Sequence, residues 1–295
     1  MPTQKVAVLS DIHSNYHAFK ACYDDAVAKS VTSFVFLGDY ISDLAEPERT
    51  LDLVYEIRSR YPTFCLRGNR ERYMLEHELG HLPFVPGSKS GSLLFTYEHL
   101  RKQDLHFFRG LPISASVSIG GITFEIAHAS MGDDRCYFEG NDAQTEQIFQ
   151  KMKCNYLLTG HSHKQYIRQK SGKTIINPGS VGIPQGGTVW PKYALIEIAK
   201  GAVFCSLREV PYDMSDVICS QFDRGLVDRA KYWAIGVLYD IITGKEYALR
   251  LLDSATASGN VCDESSWHRA ALQLGMHMTK EEIIPLCPEY TSNTH

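Results

Sequence analysis

The sequence predicts an α/β protein: a two-sheet β-sandwich flanked by helices, followed by a C-terminal helical extension. Three observations lead there. The first 110 residues alternate short apolar runs with helix-patterned stretches. Residues 113–207 then carry paired strand-like runs separated by turn residues. Beyond Pro211 the strand signal stops and apolar side chains recur at helical spacing. The first pattern is βαβαβ, which builds a mainly parallel sheet. The second reads as a β-meander, so two sheets packed face to face with helices outside are expected.

Each element has its own reason. Val6-Ala7-Val8-Leu9 is apolar throughout, as a strand buried on both faces requires. Ala18, Cys22 and Ala26 repeat every four residues and mark a helix. Val31 to Leu37 is a second strand and Thr63 to Leu66 a third. Between them, Pro47 to Ser59 reads as a helix with proline in its first turn, where a missing N–H costs nothing. Residues 69–109 read as mostly helical, with a loop over 83–90. Ile113 to Ile119 and Ile122 to Ala127 flank Gly120-Gly121, a pair suited to the positive φ of a tight hairpin. Tyr156 to Thr159 is another buried strand. Tyr166 to Gln169 pairs with Thr174 to Asn177, and Tyr193 to Ile198 with Val203 to Leu207, as two more hairpins.

A boundary falls near Pro211, dividing residues 1–212 from an extension over 213–295. Leu226, Val227, Ala230, Trp233, Ala234, Val237, Leu238, Ile241 and Ile242 follow the i, i+3/i+4, i+7 rule, and Gly244 is placed to cap that helix. Further helices fit Glu246 to Ser254, the stretch after Asp263 carrying Trp267, Ala270, Ala271 and Leu274, and a last turn with Thr279 and Glu282 as a capping box. The extension holds no chemical motif and reads as a structural cap or a homo-oligomer contact.

Bulk properties narrow the function. A net charge of −4 gives no electrostatic reason to bind nucleic acid or an anionic membrane. No apolar stretch approaches the roughly 20 residues of a membrane helix. Met1 to Val6 runs straight into the first strand, leaving no space for a signal peptide. The eight cysteines are scattered without a CxxC pair, which fits reduced thiols in a cytoplasmic protein.

Chemistry concentrates just past the predicted strand ends. Asp11-Ile12-His13 follows the first strand, Gly38-Asp39 the second and Gly68-Asn69-Arg70 the third. His128 follows Ala127, and Gly160-His161-Ser162-His163 follows Thr159. Ligand sites in α/β sheets form at the carboxyl ends of strands, so these clusters can converge in one crevice. Residues i and i+2 on extended backbone face one side, so Asp11 and His13 are expected to reach one ion, and His161 and His163 to lie on one side of their loop. The glycines at 38, 68 and 160 permit close backbone approach or unusual φ beside the ligands. Carboxylate, amide oxygen and imidazole without thiolate suit Mn²⁺, Fe²⁺ or Zn²⁺ better than a structural zinc site. Each cluster alone is weak; chance placing two Asp, one Asn and four His in this order is improbable.

These five clusters, DxH…GD…GN…H…GHxH, resemble the signature of the calcineurin-like metallophosphoesterase family. The likeness runs from Val6 to about Val210 and includes Asn177-Pro178-Gly179-Ser180; it looks nearer the small bacterial and archaeal phosphodiesterase-like branch than the protein phosphatases. The resemblance implies an α-β-β-α sandwich and a phosphodiesterase or phosphatase that uses two divalent ions, Mn²⁺ foremost. One ion would be held by Asp11, His13, Asp39 and His163, the other by Asp39, Asn69, His128 and His161, with Asp39 bridging. A hydroxide between the ions would attack phosphorus in line.

Many members carry His after GN, thought to protonate the leaving group; here Arg70 stands there. Arginine stays charged and cannot be a general acid, yet it can clamp a phosphate. Arg70, with Asn69, is therefore expected to bind the substrate phosphoryl group, favouring aryl esters or pyrophosphate-type linkages. Asn15 and His17 are candidates for supporting groups or a helix start, Asn15 being a good N-cap. His77 and His81 could supply the absent acid, though nothing in their spacing demands it, and Arg135 could line the cleft or equally sit in a solvated loop; Tyr97, His99 and His106 read as surface or packing residues. The expected partner is a small phosphorylated molecule such as a nucleotide. The rival class is a non-catalytic nucleotide-sensing or protein-interaction module on the same scaffold, which retention of all seven ligands disfavours. Missing GNH weighs against a protein phosphatase or a dinucleoside polyphosphate hydrolase, leaving a cyclic-nucleotide phosphodiesterase among the alternatives.

Overall fold

Strand β1 (Gln4–Leu9) lies at the centre of a five-stranded sheet in the computed structural model, which describes residues 3–257 and 263–288. Met1, Pro2, Cys262 and residues 289–295, all of which figure in the sequence reading, lie outside the described residues. β1 pairs in parallel with β2 (Ser33–Phe36), and β2 with β3 (Thr63–Cys65). Its other edge pairs antiparallel with β9 (Lys192–Ala199), which forms a hairpin with β10 (Ala202–Glu209). The second sheet runs β4 (Ser114–Ile119), β5 (Ile122–Ala127), β6 (Tyr156–Leu158), β8 (Lys173–Pro178) and β7 (Gln165–Lys170). β5–β6 and β6–β8 are parallel; β4–β5 and β7–β8 are antiparallel hairpins.

Alternation along the strands sorts the core into layers. Val6, Val8, Val35 and Leu37 face Phe124, Ile126, Leu158 and Ile176 between the sheets. Ala7, Leu9, Phe34 and Phe36 face the other way, onto α1 (Tyr16–Ala28) and α2 (Pro47–Arg60). On the far face of the second sheet, Ala127, Leu157 and Ile175 meet Ile148 and Phe149. The α-β-β-α sandwich expected from the sequence is present. α3 (Asn69–Glu78), α4 (Gly91–Glu98) and α5 (Lys102–Gly110) follow β3, as the helical reading of 69–109 required.

Several details depart from the sequence reading. The second half is not a simple meander, because α6 (Ala143–Lys151) carries the chain across from β5 to a parallel β6. The last hairpin joins the first sheet. α7 (Ser215–Asp223) precedes α8 (Leu226–Thr243), and α8 is not one regular helix: Lys231 has φ 48° and ψ −122°. Gly244 does close α8 in the left-handed conformation, at φ 66°. α9 (Tyr247–Thr256), α10 (Glu264–Gln273) and α11 (Lys280–Ile283) complete the extension. Ile235, Leu238, Leu251 and Trp267 enter the same apolar cluster as Phe19 and Phe36. Among the described residues, no helix is long and apolar enough to cross a membrane. Seven described cysteines are free thiols.

Candidate metal centre

The carboxyl ends of β1, β2 and β3 meet those of β5 and β6, and the chain places every predicted ligand there. His13 Nε2 and His163 Nε2 face each other at 3.1 Å. Asp11 Oδ1 stands 3.5 Å from His163 Nε2. Asp39 Oδ2 stands 3.5 Å from His128 Nε2 and 3.9 Å from His13 Nε2. Asn69 Oδ1 is 3.0 Å from His128 Nε2. Two groups have ligand atoms all within 4.8 Å of one another: Asp11, His13 and His163; and Asp11, Asp39 and His128. His161 belongs to neither, but its ring stands edge-on to His128 with centroids 5.1 Å apart.

The backbone route differs from strand alternation. Asp11, His13, Asp39, His161 and His163 all have positive φ, between 51° and 65°. These five converge because the chain turns left-handed as it leaves β1, β2 and β6, not because extended residues share a face; Asn69 and His128 arrive without such a turn. Non-glycine residues in that region cost about 1–3 kcal/mol each and persist only where the surroundings over-determine them. Hydrogen bonds between loops do so here: the amides of Ile12 and His13 both donate to the Asp39 carbonyl, at 2.8 and 3.0 Å. Glycine is needed beside them for space. A Cβ at Gly68 would stand 2.1 Å from Asp39 Oδ1, and one at Gly160 1.9 Å from Ser10 Oγ.

Two of the imidazoles are oriented so that Nε2 is the atom they offer to a metal. His128 Nδ1 lies 2.9 Å from the Leu37 carbonyl and His163 Nδ1 2.8 Å from the Ile183 carbonyl. A carbonyl only accepts, so each Nδ1 carries a proton, which leaves Nε2 as the atom that can give a lone pair to an ion once the ion displaces any proton there. Asp11 Oδ1 is buried and takes no hydrogen bond. Imidazole lone pairs around carboxylates, without thiolate, fit a hard-to-borderline divalent ion. Burial alone would raise the carboxyl pKa of Asp39, yet His128, His13 and Arg70 hold it well below the usual range. Burial would likewise depress His128, but the Asp39 carboxylate beside it pushes it up to about 10. His161 is driven the other way, to about 4, by burial and by positive charge on His128.

Beside this cluster lies a set of residues that motif reading missed. Glu71, fully buried, accepts from the amides of Gly68, Asp39 and Tyr40 at 2.8–3.0 Å and so ties the second and third loops together. Its place three residues after the residue preceding a helix is a capping-box signal. Asp43 is 2% exposed and pairs with Arg70 Nη2 at 3.0 Å. A cavity of about 490 Å³ opens on His13, His161 and His163, with Arg70 and Tyr137 in its lining. Trp233, Val237 and Asp240 of α8, with Ala248 and Leu249 of α9, line it too. The residues beyond 213 thus border the candidate site.

Other sequence candidates lie elsewhere. Asn15 caps α1 through Ala18 N and binds the Gly182 carbonyl, supporting the loop. His17 pairs with Glu46 at 2.7 Å. His77 stacks on Phe84 and contacts the Leu82 carbonyl, and His81 and Arg135 are exposed; none of the three lines the cavity, and Arg135 stands in a solvent-facing loop. His99 bonds the Phe95 carbonyl.

Two mixed sheets between helical layers, with buried carboxylates and imidazoles gathered at the strand ends, define the class: an α/β protein with a candidate metal centre. Residues 5–201 match the Calcineurin-like phosphoesterase superfamily domain, and the chain belongs to that superfamily, whose members are metal-dependent phosphoesterases. It is 25% identical over 217 residues to the uncharacterized protein MJ0912 of Methanocaldococcus jannaschii, covering 67% of this chain and 84% of that one. Among solved structures it is similar to a metallophosphoesterase from Sphaerobacter thermophilus, with TM-score 0.61 and 19% identity over 78% of this chain and 98% of that chain. It is also similar to the hypothetical protein PH1004 from Pyrococcus horikoshii OT3, with TM-score 0.67 and 17% identity over 75% and 94%. These structural likenesses concern the fold.

Proposed function

We propose that the protein is a dinuclear metal-dependent hydrolase of a small phosphate ester, with phosphodiesters and phosphomonoesters as the substrate class. The observation that carries this reading is the inward-facing set of imidazole Nε2 atoms, proton-fixed from behind, around the carboxylates of Asp11 and Asp39. Asp11, His13, Asp39 and His163 would hold one ion, and Asp39, Asn69, His128 and His161 the other. Asp39 Oδ2, standing between His128 and His13, supports the bridging role. Mn²⁺ is the ion we favour, with Fe²⁺ and Zn²⁺ compatible with the donors. When bound, such ions supply an activated water and neutralise charge developing on the phosphoryl oxygens.

The chain's own residues do the rest. Arg70, held by Asp43 at 3.0 Å and bordering the cavity, presents a fixed positive charge for the phosphoryl group. It stays protonated throughout the working range, so it binds and does not donate a proton. The apolar faces of Trp233, Val237 and Leu249 give the leaving group a dry wall. Free, scattered thiols support a reducing, cytoplasmic location.

The test is hydrolysis of bis-p-nitrophenyl phosphate and p-nitrophenyl phosphate by metal-stripped protein, with and without Mn²⁺, alongside Asp39→Asn. Turnover restored by Mn²⁺ and lower by at least about a thousandfold in the variant is expected. A folded protein inert with every divalent ion on both substrates would refute the reading.

A further inference from the structure

The segment after 213 carries no motif, yet one of its side chains reaches the ligand layer. Trp233 Nε1 donates to Asp43 Oδ1 at 2.9 Å. The other Asp43 oxygen stands 3.0 Å from Arg70 Nη2 and 3.3 Å from His13 Nδ1. His128 and His163 are oriented from behind by backbone carbonyls. His13 Nδ1 is buried, has no hydrogen-bond partner, and has Asp43 as the carboxylate it faces. Its orientation therefore depends on a side chain, and α8 supplies the shortest of three neutral donors to that side chain, beside Ser42 Oγ at 3.1 Å and Ser92 Oγ at 3.3 Å.

A regular α8 would not be assembled this way. The helix breaks at Lys231, and the backbone groups around the break are taken up by the loop before α4. The Arg229 carbonyl accepts from Gly87 N at 2.8 Å, and Tyr232 N donates to Ser88 Oγ at 3.2 Å. Ser88 is itself clamped by the Glu264 carboxylate through its amide and hydroxyl, at 2.7 and 2.8 Å. A Cβ at Gly91 would stand 2.1 Å from the Arg229 carbonyl oxygen, so α4 and α8 meet there backbone to backbone. Two residues past the break, the indole points at Asp43.

We propose that Trp233 is a positioning residue of the metal centre: the break in α8 aims its N–H at Asp43, and Asp43 sets the orientation of His13 and Arg70. The extension is then a working part of the site as well as its cover. This inference rests on reading the cluster as a metal centre, and it concerns the ion bound by His13 and not its neighbour.

Mn²⁺ titration of the metal-stripped full chain by calorimetry, without substrate, tests it in wild type, Trp233→Phe, Asp43→Asn and the double variant. Phenylalanine keeps an aromatic ring beside Trp267, whose centroid lies 6.5 Å away, and removes only the donor. One of two ions should bind about tenfold more weakly in Trp233→Phe, and about 10–100-fold more weakly in Asp43→Asn, the range for removing a group that orients a ligand. The metal-free melting temperature should hold, and the double variant should lose no more than Asp43→Asn alone. Unchanged affinity for both ions in Trp233→Phe would overturn the inference, as would additive losses. Equal weakening of both ions with a lowered metal-free melting temperature would overturn it too, since that is the signature of packing. Wild-type protein that takes up no Mn²⁺ would overturn this inference and the metal-centre reading together.

Discussion

The loops after the strands and the α8–α9 pair border one cavity, and they get there by opposite means. In the loops, short contiguous motifs place candidate ligands on left-handed backbone within two to five residues of a strand end. In the helices, side chains scattered from 233 to 249 reach the same space from a layer whose sequence shows only apolar periodicity. Their electrostatics also run opposite ways. Burial opposes ionisation at Asp39 and Asp43, but imidazoles and a guanidinium hold both carboxyls well below the usual range. Asp240 of α8 is buried, and the amides of Ala248 and Tyr247 and the charge of His163 only partly offset burial, which carries its carboxyl up to about 8. A site made for charge is thus set against a wall that resists it, which suits an anionic phosphoryl group at one end and an uncharged leaving group at the other.

Arg70 is where the contrast breaks most easily. It stands in the first turn of α3 but lies in the cavity beside α8 residues, and its charge is balanced by Asp43. Arg70→Ala should cut kcat/KM on both p-nitrophenyl substrates by about 10–100-fold, the worth of a hydrogen bond to a charged group. Across aryl esters of graded leaving-group pKa the loss should stay constant, because a phosphoryl clamp is indifferent to departure. A loss growing steeply with leaving-group pKa would instead make Arg70 a partner of the departing oxygen, and rates unchanged throughout would remove it from the site.

Asp240 tests the wall. Its Oδ1 accepts from Ala248 N at 3.0 Å, which ties α8 to the start of α9. Burial raises its pKa most; the amides of Ala248 and Tyr247 and the charge of His163 oppose, and Asp43 adds to it. The ordinary value is 3.8 and the folded value about 8, so the folded state binds the proton more tightly. Stability from this group is therefore full below pH 3.8 and lost as pH rises through 8, with a slope of at most about 1.4 kcal/mol per pH unit. Asp240→Asn keeps an oxygen for Ala248 and cannot ionise. Relative to wild type, its melting temperature should rise between pH 5 and 8, with the gap widest at pH 8. A gap that is constant with pH would mean that Asp240 is already ionised in the fold.

The same contrast explains what the sequence made legible. Seven candidate ligands that the structure gathers in one place could be named because such chemistry needs particular residue types close to strand ends, and that constraint is local. The geometry joining them was not legible: extended alternation was expected, and left-handed φ at Asp11, His13, Asp39, His161 and His163 was found, fixed by hydrogen bonds between loops that are distant in sequence. Trp233 was read as one more apolar position on a helix, because its partner Asp43 lies 190 residues away. α6 went unread although Asp142 caps it, since only Thr145, Ile148 and Phe149 form its buried stripe. α7 hides similarly behind Gln221. Periodicity reports which face is buried, and it is silent on what lies opposite.

Strain separates the two regions most finely. At Asp11, Asp39 or His163 a left-handed residue cannot be relieved by glycine without losing the ligand. Lys231 is different: its side chain is exposed, and only its φ of 48° and ψ of −122° matter to the fold. Lys231→Gly removes about 1–3 kcal/mol of conformational strain and adds about 0.5–1 kcal/mol of unfolded-chain entropy cost. The balance favours the folded state by roughly 1 kcal/mol, which in a chain of this size raises the melting temperature by about 1–3 °C. The break itself should stay, because Gly87, Ser88 and Glu264 hold it from outside. Mn²⁺ affinity should then match wild type while thermal unfolding shifts upward. A lower melting temperature with weakened Mn²⁺ binding would mean that the lysine side chain, and not the loop before α4, holds α8 in its bent form.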